Sequence, residues 1–227
     1  MCNLYTWKMT AAEMRALKLH FQFIGTTWTE WEERQRGRNE PPQSAAVPIG
    51  ETYPNYEAPV IVDQDGMPAV RQMRWGFPPP SFIKSKAPVT NVRNIASGHW
   101  KAWLGQGHRC LVPASAFSEF DQRARKPRWF KRPDGTPFFF AGIWRPWTGD
   151  RGTKARPNVG DHLLFSFLTT EANAVVASIH PKAMPALLLD DAAIRTWLHG
   201  SQEEALALQR PANDDMLVVL PEEPKAA

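Results

Sequence analysis

The sequence predicts an α+β fold, and three observations carry that reading. Segments of strand character outnumber helical ones. The two kinds do not alternate regularly, as a doubly wound parallel sheet would require. The 227 residues, 43% of them hydrophobic with 10 Trp and 12 Phe, are enough to bury a full core. Neither a repeat period nor an interdomain linker interrupts the chain, so residues 1–227 read as one domain.

The elements follow from local pattern. A short extended segment after Cys2 leads to Thr10, which with Glu13 forms a capping box; Met14, Leu17 and Phe21 then recur at helical spacing and predict a helix over 10–20. Charge, Pro and Gly over 29–56 read as a long surface connection. Residues 58–62, a turn at Asp65-Gly66 and a second run through Trp75 predict a hairpin that Pro78, Pro79 and Pro80 end. A stiff loop runs to Asn91, a short helix covers 95–104, and 109–113 is a buried strand. Asp134-Gly135 predicts a second hairpin, joining Trp129 and Phe130 to 138–144. A strand at 162–167, a helix at 172–178, an apolar strand at 184–189, a helix after Asp190 and Asp191, and a last strand at 216–221 complete the chain.

Composition excludes several classes. No apolar stretch approaches the roughly 18 residues of a membrane span, and the start lacks the charged-then-apolar run of a secretory signal, so a soluble, cytoplasmic protein is expected. Two cysteines, at 2 and 110, without CxxC spacing or a Cys/His cluster argue against a disulfide framework and a metal site. The net charge of +4 is modest, but its distribution is lopsided. No Asp or Glu occurs from 66 to 118, a span that carries Arg71, Arg74, Lys84, Lys86, Arg93, Lys101 and Arg109; six further cations fall within 123–132, and acids gather near the carboxyl end. One positive face and an anionic partner are expected.

The residues that could do chemistry start at position 2. A small second residue permits removal of the initiator Met, which exposes an α-amine and a thiol on one residue. With ordinary pKa values of about 7.7–8.0 and about 8.5, a useful fraction of each is nucleophilic at neutral pH. Such a terminus can attack an amide through sulfur, or condense with an aldehyde through nitrogen and close a thiazolidine through sulfur. Glu119, between Phe117 and Phe120, reads either as a carboxyl raised toward neutrality by aromatic surroundings or as a salt-bridge partner. His180 lies between a helix and an apolar strand, where it could reach a cleft or pack as an ordinary surface ring. Asn91 could orient a polar ligand and Arg93 pair with a phosphate, or both could serve turn chemistry. Trp75 is either core or a flat face for a base, and Cys110 packs as a small hydrophobe.

Taken together, the MC start, MRWGFPPP (73–80), TNVRN (90–94), RCLVPASAFSEF (109–120), FFFAGIW (138–144), FLTTEAN (167–173) and IHPKAMPALL (179–188) resemble the SOS response-associated peptidase (SRAP) family, nearly end to end. The resemblance implies a curved, barrel-like mixed β core flanked by short helices, with Cys2 at the floor of a positive cleft. It implies covalent crosslinking to abasic sites in single-stranded DNA through Cys2, with autopeptidase and lyase side activities. It assigns Cys2 as nucleophile, Asn91 as the site amide, Glu119 as acid/base and His180 as second proton-transfer group. Arg93 and Trp75 fall where family members touch DNA; Arg71, Arg74, Phe120 and Lys182 complete the expected DNA contacts. No cofactor is implied, and a monomer that joins the nucleoid when bound to DNA is expected. Three places depart from the family pattern: Asn3-Leu4 replaces Gly-Arg, Phe120 replaces a Trp, and His180-Pro-Lys-Ala-Met-Pro185 has one residue more than usual, with Lys182 in the basic place. Two other readings use the same residues: an N-terminal cysteine amidohydrolase, and a noncatalytic module for single-stranded nucleic acid.

Overall fold

The structure, a computed structural model, describes residues 2–7, 22–23, 50–85 and 87–221. The helix expected over 10–20 and most of the connection expected over 29–56 lie outside the described residues.

Five strands close into a mixed barrel. β4 (Glu57–Gln64) and β5 (Met67–Trp75) form the expected hairpin, with Gly66 in the left-handed region at φ +81°. β4 then pairs with β7 (Arg109–Ala114), β7 with β10 (Phe138–Asp150), and β10 with β11 (Val159–Thr170), all antiparallel. Parallel pairing of Leu164 with Arg74 and Phe165 with Trp75 joins β11 back to β5 and closes the ring. The short β2 (Gln22–Phe23) extends β5, and the two-residue β6 (Asn91–Val92) lies parallel to β11.

A second sheet packs against the barrel in the order β14-β9-β8-β1-β3. Its strands are β1 (Leu4–Thr6), β3 (Glu51–Thr52), β8 (Ala116–Asp121), β9 (Lys126–Lys131) and β14 (Val218–Val219). The chain passes from barrel to sheet at Ser115, whose N–H donates to the Thr6 carbonyl at 2.8 Å.

Strand alternation sorts the core into two layers. Val60, Met73, Trp75, Cys110, Val112, Phe138, Phe140, Phe165 and Phe167 fill the barrel and meet Cys2, Tyr5, Phe117 and Phe130 from the second sheet. The outer face, with Ile61, Leu111, Phe139, Ile143 and Leu164, is covered by helices and loops that bring Trp100, Leu104, Ile194, Trp197 and Leu198. Each fully buried ring contributes on the order of 2–3 kcal/mol from area alone. Edge-to-face contacts of Tyr5 with Trp75 and Phe140, at 5.2 and 5.5 Å, add directional packing. Gly142 allows the close approach of β10 to β7, since a Cβ there would stand 2.7 Å from Cys110 Sγ.

The helices are short. α1 (Gly98–Lys101), capped by Ser97, replaces the longer helix expected over 95–104. α2 (Ala174–Ala177) is capped by Asn173; α3 (Asp191–His199) and α4 (Gln202–Leu206) follow the caps Asp190 and Ser201. Two further expectations are corrected. The chain does turn at Asp134-Gly135, but Trp129 and Phe130 belong to β9 and pair with β8, while residues 138–144 join the barrel. The stacking of Phe130 on Phe117, at 5.2 Å and 18°, is available only in the second sheet. The apolar run 184–189 is not one strand: β12 (Met184–Pro185) pairs with β11 and β13 (Leu187–Leu188) with β10, with Ala186 bonded to both neighbours between them.

Candidate active site

The seam between the two sheets positions Cys2. β1 lies antiparallel to β8 with Leu4 opposite Ser118, so the residues just before β1 run alongside Glu119 and Phe120. Alternation along β8 turns Phe117 and Glu119 inward and Phe120 outward; Glu119 is 2% exposed and Phe120 46%. Cys2 is fully buried, and its Sγ–H points toward the Leu4 carbonyl at 3.5 Å.

Asn91 reaches the same place from the barrel. Parallel pairing of β6 with Phe167 and Leu168 holds its backbone, and its Nδ2 donates to the Cys2 carbonyl at 2.9 Å and to Thr90 Oγ1 at 2.8 Å. Thr90 in turn donates to Asn3 Oδ1 at 3.4 Å, and its carbonyl accepts the Trp75 indole N–H at 3.1 Å. His180 arrives from the turn after α2, fixed by its backbone N–H on the Val176 carbonyl at 2.8 Å. Its Nε2 lies 3.8 Å from Glu119 Oε2, and its side chain is 15% exposed, so it stands between the buried carboxyl and the surface.

The electrostatics follow from burial. Burial pushes the Glu119 carboxyl up to about 7, into the range of a group that both gives and takes a proton at neutral pH. Burial also raises the Cys2 thiol well above its ordinary range, and the Glu119 charge raises it further. The expectation of a partly ionised thiol at neutral pH is therefore corrected: it rests protonated, because an apolar pocket facing a carboxylate disfavours a second anion. Burial and neighbouring positive charge, Lys182 included, lower His180, so its ring is neutral at pH 7.

The structure thus brings Cys2, Asn91, Glu119 and His180 together and separates the expected DNA contacts. Arg93, half-exposed, continues from β6 at the rim of the site, and Lys182 is exposed two residues past His180. Phe120 stands on the outer face of β8, away from the carboxyl beside it. Trp75 offers no face to a base: it is wholly buried, lies against Phe165 and Phe167, and its role is to hold Thr90. Arg74 is bound to Glu57 at 2.9 Å and to the Asn55 carbonyl at 2.6 Å, and Arg71 to Gln64 at 3.1 Å, so both guanidinium groups already have partners on the hairpin and its flank.

Sequence reasoning missed Thr90, which lies inside the TNVRN motif, and Gln209, whose Nε2 donates to the carbonyls of Arg93 and Thr169, both at 2.9 Å, tying β6 to β11. Elsewhere, the loop opened by Pro78, Pro79 and Pro80 leaves the Phe82 ring 84% exposed.

Among the described residues, no three His, Cys, Asp or Glu side chains gather as metal ligands, and no helix is long and apolar enough to cross a membrane.

Solved structures share this architecture. A protein from Bordetella bronchiseptica matches with a TM-score of 0.69 and 21% identity over 98% of this chain and 100% of its own. A protein from Bacteroides thetaiotaomicron matches at 0.68 and 20%, over 96% and 90%. A phage-related protein from Bordetella bronchiseptica matches at 0.61 and 16%, over 98% and 95%. A search of curated protein sequences returns no match. The profile of the family described as SOS response associated peptidase (SRAP) matches residues 1–224, a span that takes in the MC start, Asn91, Glu119 and His180; the chain belongs to that family.

Proposed function

We propose that this protein captures abasic sites in single-stranded DNA as a covalent adduct on Cys2, once Met1 has been removed. The observation that supports this reading best is the convergence on one buried cysteine of Asn91, at its carbonyl, and of Glu119 with His180 3.8 Å beyond it. A nucleotide that has lost its base presents a small open-chain C1′ aldehyde, which can reach a buried residue where an intact nucleotide cannot.

The chemistry follows from the protonation states. The thiol rests protonated, so the α-amine of Cys2 attacks first. It adds to C1′, and loss of one water leaves an iminium. The thiol then gives its proton to the Glu119 carboxylate and sulfur bonds to C1′, closing a five-membered thiazolidine. One C–N and one C–S bond replace the C=O double bond, whose oxygen leaves as the water. A carboxyl near 7 is suited both to protonating the departing oxygen and to receiving the thiol proton. Neutral His180 can accept the C1′ hydroxyl proton as the closed sugar opens. Asn91 holds the Cys2 carbonyl, so amine and thiol meet the aldehyde in fixed geometry, and such positioning is worth several kcal/mol of barrier. The iminium is also the entry to β-elimination, so slow strand cleavage is the expected side activity, and the family's peptidase designation fits release of Met1. Arg93 and Lys182 supply rim cations for phosphates, and exposed Phe82 and Phe120 are available to bases.

Intact mass spectrometry tests the reading. The purified protein should lack Met1 and, after mixing with an oligonucleotide bearing one abasic site, gain that oligonucleotide less one water. A retained Met1, or an undiminished adduct in Cys2→Ala, overturns the assignment. Binding that salt reverses with no covalent species makes the protein a noncatalytic module instead.

A further inference from the structure

Arg93 follows Asn91 by two residues, and it faces a carboxylate more loosely and in a more exposed setting than Arg74 faces Glu57. Gln209 holds the Arg93 backbone by donating to its carbonyl at 2.9 Å, so the backbone at Arg93 is anchored independently of the guanidinium. The guanidinium Nη2 lies 3.7 Å from Glu171 Oε2, and this carboxylate is itself 69% exposed. Glu171 follows directly on β11, and its Oε2 also accepts from Thr170 Oγ1 at 3.2 Å, which aims the carboxylate. A strand of nucleic acid reaching the site from this side therefore meets an arginine already facing an anion.

We propose that Glu171 is a gate on Arg93: its carboxylate occupies the guanidinium until a backbone phosphate displaces it, which weakens the grip on undamaged strands. This rests on the reading above, with an unpaired DNA strand as the occupant. The magnitude suits a gate. Both partners are solvated, and a pair this exposed and this loose gives way to a phosphate able to bind the guanidinium in bidentate fashion. A short undamaged strand has nothing to offset that exchange, whereas a strand held covalently at Cys2 does. The device adds selectivity for the lesion without a further contact to it.

Fluorescence anisotropy with oligothymidylate, across a salt series, is the test, using wild type, Glu171→Gln, Arg93→Gln and the double variant. Glu171→Gln should tighten binding about two- to fivefold at low salt. The gain should shrink as salt rises and vanish in the Arg93→Gln background. Unchanged or weaker binding by Glu171→Gln overturns the gate, and so does a gain that persists without Arg93, since that would be a general field effect. An abasic oligonucleotide run on a denaturing gel separates the two proposals: loss of the adduct in wild type overturns the crosslinking reading, while the anisotropy series still decides the gate. Failure of wild type to bind oligothymidylate overturns the gate, while the crosslinking reading is still decided by the gel.

Discussion

Cys2 and Cys110 belong to the same aromatic core, and both thiols are raised by burial, but their surroundings differ. Cys110 faces Gly142 across a barrel pair, and its carbonyl accepts the Trp197 indole N–H at 2.9 Å. Its neighbours are aliphatic and aromatic, and its sulfur has filled a space the size of a methyl group. Cys2 lies where the barrel and the second sheet meet, and there the inward-facing residues include Glu119 and Asn91. Burial alone produces an inert thiol; burial beside a carboxyl near neutrality produces one with a place to put its proton.

The comparison can be broken most directly by exchanging the cysteines' fates. Cys2→Ala should abolish the denaturation-resistant adduct, whereas Cys110→Ala should keep it and lose on the order of 1–2 kcal/mol of stability in a thermal or denaturant melt. If Cys110→Ala also loses the adduct while still folded, the assignment of roles is wrong. Next in size, Glu119→Gln should slow adduct formation by about 100-fold or more, with affinity for undamaged single strands nearly unchanged, as single-turnover kinetics and anisotropy would report. Asn91→Ala, which removes one oriented hydrogen bond on the Cys2 carbonyl, should slow it about tenfold.

The smallest effect sharpens the electrostatic half of the comparison. Glu119 is raised by burial from the ordinary carboxyl range to about 7, so the folded state binds its proton more tightly than the unfolded state. That contribution to stability is complete below the unfolded pKa and is lost as pH rises through about 7. Wild type should therefore lose thermal stability between about pH 5 and pH 8 relative to Glu119→Gln. Parallel melting curves across that window would mean that the carboxyl is solvated and ordinary.

Much of this was legible in the sequence. The β4–β5 hairpin declared itself through two extended runs joined at Asp65-Gly66 and ended by Pro78, Pro79 and Pro80, and the α+β class through the irregular order of elements. The four central residues came from motif order: Cys2, Asn91, Glu119 and His180 lie far apart in the chain, and no local pattern joins them. What stayed hidden depended on pairing partners. Trp129 and Phe130 looked like one arm of a hairpin because Asp134-Gly135 is a good turn; their pairing with β8, with Phe130 stacked on Phe117, shows that the turn passes between sheets. Trp75 could be read as ligand face or core until the closure of β5 on β11 placed Phe165 and Phe167 against it. Arg71 and Arg74 counted toward a positive face, yet their hydrogen bonds to Gln64, Asn55 and Glu57 depend on contacts that the charge map does not contain.

β1 is an inner strand, flanked by β8 on one side and β3 on the other. A polymer joined two residues ahead of it would be moored to the body of the protein, and tension on that polymer would load two backbone ladders in shear. Such a mooring lets go by reversal of its own chemistry or by dismantling of the sheet, so the lifetime of an adduct would be a property of the fold as much as of the bond.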